Sequence, residues 1–175
     1  MNTRRFRSKI ASLIGLAAAV IGIMLATPAA APASIGPFFE IVNPVFGGCA
    51  DVINASTSAG ALVQEFHCKN NDAQLWEPQL QTDQVRVKLL NRGSGLCLHA
   101  GSGVNGAPVD QQSCDNTDQG VFWQWGLADR FGHLVLVSDF PGKCLSLASA
   151  TRTDGTRMII ADCATTATQF FRIDN

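Results

Sequence analysis

Val87-Lys88-Leu89-Leu90-Asn91 is a short apolar run that stops at a polar residue, and Gly95-Leu96-Cys97-Leu98-His99-Ala100 resumes it behind a glycine and a cysteine. The same arrangement stands earlier as Phe39-Glu40-Ile41-Val42-Asn43 with Gly47-Gly48-Cys49-Ala50-Asp51-Val52. It stands again later as Leu134-Val135-Leu136-Val137-Ser138 with Gly142-Lys143-Cys144-Leu145-Ser146-Leu147. Asn43, Asn91 and Ser138 each lie six residues before a cysteine, and a glycine lies one or two before it. A second cysteine follows in each segment, so the six cysteines, at 49, 68, 97, 114, 144 and 163, are spaced 19, 29, 17, 30 and 19 apart. Each segment then closes on aromatics: Gln74-Leu75-Trp76, Trp123-Gln124-Trp125 and Gln169-Phe170-Phe171. Cys68 to Trp76 and Cys163 to Phe171 are both eight residues, while the middle segment is longer, with Asp115 to Gly120 as a looser loop. The period is 47–48 residues, and a fixed period is the mark of a repeat architecture.

Each repeat reads as β-structure. Arg86-Val87-Lys88-Leu89-Leu90 and Leu134-Val135-Leu136-Val137 are strand-length and apolar, bounded by Gly, Asn or Pro. Gly101-Ser102-Gly103-Val104-Asn105-Gly106 and Asp154-Gly155 are turn chemistry. Beyond the N-terminal segment, no stretch keeps an i, i+3, i+4, i+7 stripe over a helical length. Evenly spaced short strands predict an all-β architecture that closes on itself, because closure removes exposed sheet edges. Three copies are few for an open solenoid with capping ends and suit a pseudo-threefold axis.

The 175 residues leave room for one domain with a modest core. Arg4, Arg5, Arg7 and Lys9 make a basic start, Ile10 to Ala26 is apolar and small throughout, and Ala31-Pro32-Ala33 fits a small-residue cleavage site. Residues 1–33 are therefore expected to be a secretory signal peptide. The apolar run of 17 residues sits at the bottom of the membrane-spanning range, and its Pro/Ala flank does not suit a stop-transfer segment. Arg4-Arg5 leaves both the general and the twin-arginine export routes open. The expected mature chain, 34–175, is secreted, and its units cover about 37–83, 84–130 and 131–175. It carries nine basic against fourteen acidic residues, a balance of −5, so no nucleic-acid or anionic-membrane partner is expected.

An even number of cysteines in an exported chain points to disulfides. Six cysteines allow fifteen pairings, and spacing does not choose among them. No Cys-x-x-Cys or Cys/His cluster offers a zinc site, and no metal or other cofactor is expected.

Three units of about 45 residues, each with a G-x-C-L-x-V-like start and a Q-x-W-like end, resemble the ricin B-type lectins. The resemblance covers roughly residues 37–175. It implies a β-trefoil with four strands per unit, and one disulfide within each unit: Cys49–Cys68, Cys97–Cys114 and Cys144–Cys163. It also implies carbohydrate as the partner and no catalytic activity. In that family a working unit has an Asp two residues after its first cysteine, an aromatic two before the second, and a Gln two further back. An Asn and a Gln just before the closing Trp complete the set. Carried over, these positions are Asp51, Phe66, Gln64 and Gln74, with Ala73 where the Asn is expected and Asn71 or Asp72 as its replacement from the same loop. The second unit has His99, Gln112 and Asp110 in the first three places, and the third has Ser146, Ala161 and Ile159. Sugar binding is therefore expected in the first unit alone, on galactose-type or xylan-type glycans.

The same residues admit plainer roles. Trp76, Trp125 and Phe171 are expected to be core aromatics near the pseudo-axis, and Gln74 and Gln169 to satisfy buried backbone groups. His67, His99 and His133 fall one per unit and are expected to be solvated. Asn54-Ala55-Ser56 is a glycosylation sequon. No G-x-S-x-G or H-E-x-x-H occurs, and no nucleophile stands with a base. The alternative to a lectin is a trefoil that binds a protein partner, such as a toxin accessory subunit or an inhibitor.

Overall fold

Side chains alternate across a strand, so Ile41, Leu89 and Leu136, each at the third position of its unit's opening strand, share one side and are fully buried. The computed structural model describes residues 38–116, 119–127 and 129–175, and the expected signal peptide lies outside them. Twelve strands form in three sets of four. The first set is β1 (Phe39–Val42), β2 (Gly48–Val52), β3 (Val63–His67) and β4 (Leu75–Leu80). The second is β5 (Val87–Asn91), β6 (Cys97–His99), β7 (Asp110–Gln112) and β8 (Trp123–Leu127). The third is β9 (Leu134–Ser138), β10 (Cys144–Leu147), β11 (Thr156–Ala161) and β12 (Arg172–Asp174).

The first and last strands of the sets pair into a ring. β1 pairs with β4, β4 with β5, β5 with β8 and β8 with β9, while β12 returns to β1. A bridge between Leu134 and Phe171, the residue before β12, joins β9 to β12 within the third set. The middle strands form three hairpins, β2–β3, β6–β7 and β10–β11, all antiparallel. These hairpins meet one another through Thr156–Glu65, Leu62–Asp110 and Pro108–Ile159. Closed ring and touching hairpins together make the β-trefoil, with no long free edge among the described residues. The three disulfides fall one per unit, Cys49–Cys68, Cys97–Cys114 and Cys144–Cys163. Each closes a loop of under twenty residues and contributes about 3 kcal/mol on the chain-entropy account.

The repeat residues have one local job. The residue six before each first cysteine opens a tight turn: Asn43, Asn91 and Ser138 N–H groups donate to the carbonyls of Gly48, Leu96 and Lys143 at 2.9, 2.8 and 2.8 Å. The glycines at 47, 95 and 142 take φ of +81, +69 and +76°, a backbone region that side chains oppose. The residue just after each first cysteine, Ala50, Leu98 or Leu145, is fully buried in the core.

One expected core aromatic is corrected. Trp76, Trp123 and Phe171 are the fully buried aromatics, and each faces an opening strand (Phe39, Val87 and Leu134). Trp76 and Trp123 donate their indole N–H to the carbonyls of Ala50 at 3.0 Å and Leu98 at 2.9 Å. Trp125 lies two residues further along β8, half-buried, and packs edge-on to Phe39 with ring centroids 6.2 Å apart. The looser loop adds one residue, so Cys114 reaches its core aromatic in nine residues rather than eight, at Trp123. Val121, not Gln124, therefore takes the place of Gln74 and Gln169 and is fully buried.

At the seam between the first and third units, burial raises the pKa of the Glu65 carboxyl above its usual 4.5, against the hydrogen bond from Gly48 N–H. A carboxyl protonated more readily when folded stabilises the fold most at low pH, and that contribution falls as pH rises above about 4.5. Glu65→Gln, which keeps the shape, is therefore expected to raise the urea midpoint at pH 7 and to leave it near wild type at pH 4.

Candidate functional site

The β2–β3 hairpin pairs Cys49 with Phe66 and Asp51 with Gln64. Residues two apart share a face, so Asp51, Gln64 and Phe66 project to the same side. They line a depression of about 260 Å³ with Asn54, Ala55, Lys69, Asn71 and Ala73. Asp51 and Gln64 are buried at its base, and Gln64 Nε2 donates to Asp51 Oδ1 at 2.9 Å. That bond holds the carboxylate in one orientation, and no described group donates to Oδ2. Phe66 is half-exposed, and Lys69 Nζ lies 4.1 Å from its ring centroid in a cation–π contact.

Asn71, exposed, reaches the depression; Asp72 turns away to Arg92 at 3.2 Å. Ala73 presents a methyl group in the wall, and its carbonyl is taken by Val52 N–H and Asn91 Nδ2. Gln74 does not line the depression. It is fully buried, accepts from Lys69 N–H at 2.6 Å and donates to the His67 carbonyl at 3.0 Å. Gln169 makes the matching pair in the third unit with Ala164 N–H and the Asp162 carbonyl. Gln74 thus clamps the loop that carries Lys69 and Asn71. Gln74→Ala is expected to lower stability by about 2 kcal/mol in urea denaturation, the scale of two buried backbone groups left unpaired.

Asn54, Ala55 and Lys69 were not singled out as site residues by the sequence. Asn54 and Ala55 take positive φ of 57 and 49° in a 3-10 turn, Ile53–Ala55, which bends the chain over the rim. The glycosylation sequon was the signal at Asn54, and Lys69 carries none beyond following Cys68.

The hairpin registers reproduce the correspondence drawn between units. In the second unit His99 faces Asp110 and Cys97 faces Gln112; in the third Ser146 faces Ile159 and Cys144 faces Ala161. His99 Nδ1 lies 2.6 Å from Asp110 Oδ1, and Gln112 Nε2 donates to Asp110 Oδ2 at 2.7 Å. The acidic partner has moved from the first hairpin strand to the second, and both its oxygens are engaged. In the third unit the Ser146 hydroxyl donates to the Leu147 carbonyl, opposite apolar Ile159. A larger cavity of about 510 Å³ lies beside that unit, but Leu127, Val135, Val137 and the Cys144–Cys163 disulfide make it mostly apolar. The histidines are not simply solvated: His67 pairs with Asp154, His133 with Asp129, and His99 is buried.

The family model described as a ricin-type β-trefoil lectin domain-like domain matches residues 32–112 and 79–161. No curated protein matches the chain. Among solved structures, the designed threefold-symmetric protein ThreeFoil is 30% identical at a TM-score of 0.73, over 79% of this chain and 98% of its own. The ricin B-like lectin of Macrolepiota procera in complex with lactose is 17% identical at 0.64, over 81% and 97%. The C-half of the earthworm R-type lectin in complex with GalNAc is 15% identical at 0.63, over 79% and 98%. With a closed three-unit trefoil, a disulfide in each unit and a family match spanning most of its length, the chain belongs to the ricin-type β-trefoil lectin domain-like family.

Proposed function

We propose that the protein is a secreted lectin with one sugar site, in the first unit, for galactose-type or xylan-type glycans. The observation that carries this reading is the pairing of Asp51 with Gln64 beside Phe66 in a solvent-open depression. A carboxylate accepts from two neighbouring hydroxyls more strongly than a neutral group does, which pins a sugar ring. Gln64 holds that carboxylate still, and Phe66 offers an apolar face for the ring's C–H groups. Asn71 supplies donor and acceptor where Ala73 cannot. Lys69 moves off the Phe66 ring as the sugar arrives, an exchange of about 1 kcal/mol at an exposed site.

GalNAc and lactose, bound by the two lectins of like fold, favour the galactose-type reading. Export is supported by three disulfides. No helix among the described residues is long and apolar enough to cross a membrane. A binding role rather than a catalytic one is supported by membership of the lectin domain-like family.

A glycan array probed with the oxidised, fluorescently labelled and multimerised protein beside Asp51→Ala tests this. Defined signals lost in the variant support the first-unit site and name the glycan class. Equal signals in both proteins, or none from a folded wild type, overturn it.

A further inference from the structure

The two faces of the β2–β3 hairpin differ. Gln64 and Phe66 face the depression described above, while Glu65 and His67 face the third unit across the β3–β11 pairing. On that side a separate cavity of about 170 Å³ is walled by Phe46, Gly48, Glu65, His67, Arg152 and Asp154. Glu65 is only 3% exposed. Its Oε1 accepts a long bond from Gly48 N–H at 3.3 Å, and its Oε2 is the buried side-chain polar atom among the described residues with no hydrogen-bond partner. Buried polar groups are almost always satisfied, so such an atom calls for an explanation.

The repeat itself supplies the comparison. Glu65 faces Ala50 as Gln111 faces Leu98 and Ile160 faces Leu145. Gln111 is fully satisfied: it donates to the Ser56 and Ser58 carbonyls and accepts from the Ser94 hydroxyl. Ile160 has no polar group to satisfy. The first unit adopts neither solution, and it has cleared space for the acid. A Cβ on residue 48 would lie 2.2 Å from Glu65 Cγ, so Gly48 is required there, where the other units carry Leu96 and Lys143.

The surrounding charges define what fits. Both Asp154 oxygens are occupied by His67, through its backbone N–H and Nδ1, each at 2.7 Å. Arg152 stands at the rim, one guanidinium nitrogen donating to the Val45 carbonyl at 2.9 Å, and its charge acts on the Glu65 carboxyl. The cavity thus presents one unsatisfied acceptor, Glu65 Oε2, beside a cationic donor. A cation is opposed by Arg152, and an anion by Glu65 and Asp154. A neutral group with a donor next to an acceptor satisfies both walls. The volume is well below that of a drug-sized pocket, which limits the occupant to a small polyol or one edge of a sugar ring.

We propose that this cavity, at the junction of the first and third units, is a second ligand site that takes a neutral vicinal diol. One hydroxyl donates to Glu65 Oε2, its neighbour accepts from Arg152, and Phe46 flanks the carbon edge. The inference does not rest on the first-unit site. With that site present, the protein carries two hydroxyl-binding positions on opposite faces of one hairpin.

The test is a titration of the full-length, oxidised, ¹⁵N-labelled protein with glycerol, galactose and xylose. Amide signals are followed at pH 7 up to about 100 mM, well above the millimolar range of a single small site. Saturating shifts at Gly48, Thr153 and Asp154, weakened about tenfold or more by both Glu65→Gln and Arg152→Ala and retained in Asp51→Ala, support the site. Both variants keep the hairpin's shape, and dispersed spectra confirm that they fold. Overturning results are silence at those amides with all three polyols, shifts that neither variant changes, or a response to ethylammonium in place of the polyols. Loss of every shift in Asp51→Ala also overturns it, because one site then explains all binding. A response at Gly48 with none at Gln64 and Phe66 keeps this site and removes the first-unit one.

Discussion

Trp123→Ala is expected to destabilise the protein by about 3–5 kcal/mol, the range for removing a large aromatic from a packed core. Trp125→Ala, two residues away on the same strand, is expected to cost much less. Trp123 has no exposed surface, stands opposite Val87 in the closed ring, and gives its indole N–H to the Leu98 carbonyl. Truncation leaves a cavity between the second unit's barrel strands and an unpaired buried carbonyl at its hairpin. Trp125 is half-buried and contributes an edge contact to Phe39. A domain with a total stability in the usual range of about 5–15 kcal/mol would be left barely folded by the first change. Urea denaturation followed by tryptophan fluorescence and circular dichroism separates the two. Equal losses would refute the assignment of Trp123 as the partner of Trp76 and Phe171.

Asp51→Ala is expected to abolish measurable monosaccharide binding while the fold survives. A hydrogen bond to a charged acceptor contributes about 1.5–3 kcal/mol, and a single shallow site starts from roughly millimolar affinity, near −4 kcal/mol. Losing that acceptor moves binding about tenfold or more, out of the range a calorimetric titration reads. The cost to stability is smaller, about 1 kcal/mol, because the described bond lost is the one from Gln64. Asp51→Asn sharpens the test: it keeps the shape and an acceptor for Gln64 but removes the charge, so affinity should fall by an intermediate amount. Unchanged affinity in both variants would place sugar binding elsewhere on the trefoil.

Much of the architecture was legible in the chain because local chemistry repeats with it. The polar residue six before the cysteine, the glycine in the turn and the apolar residue just after the cysteine each do the same work three times, and work of that kind leaves a period. The family resemblance supplied the disulfide pairing, and the hairpin register matched the correspondence drawn between units for Asp51, His99 and Ser146. The second unit's closing aromatic was misplaced for an equally physical reason. A loop can lengthen by one residue at little entropic cost, so spelling drifts away from register there, and only the pairing of Val87 with Trp123 restores it.

The threefold period, the short strands and the turns follow from features close together along the chain, and the family resemblance adds the cysteine pairs and the candidate first-unit residues. The core position of Trp123 opposite Val87, the pairing of His67 with Asp154 and the enclosure of Glu65 do not follow from them. Each depends on residues far apart in sequence that pairing between strands or units brings together, as with Glu65 beside Arg152 and Asp154. Strand periodicity tells which residues share a face, but closure of the ring decides what that face meets.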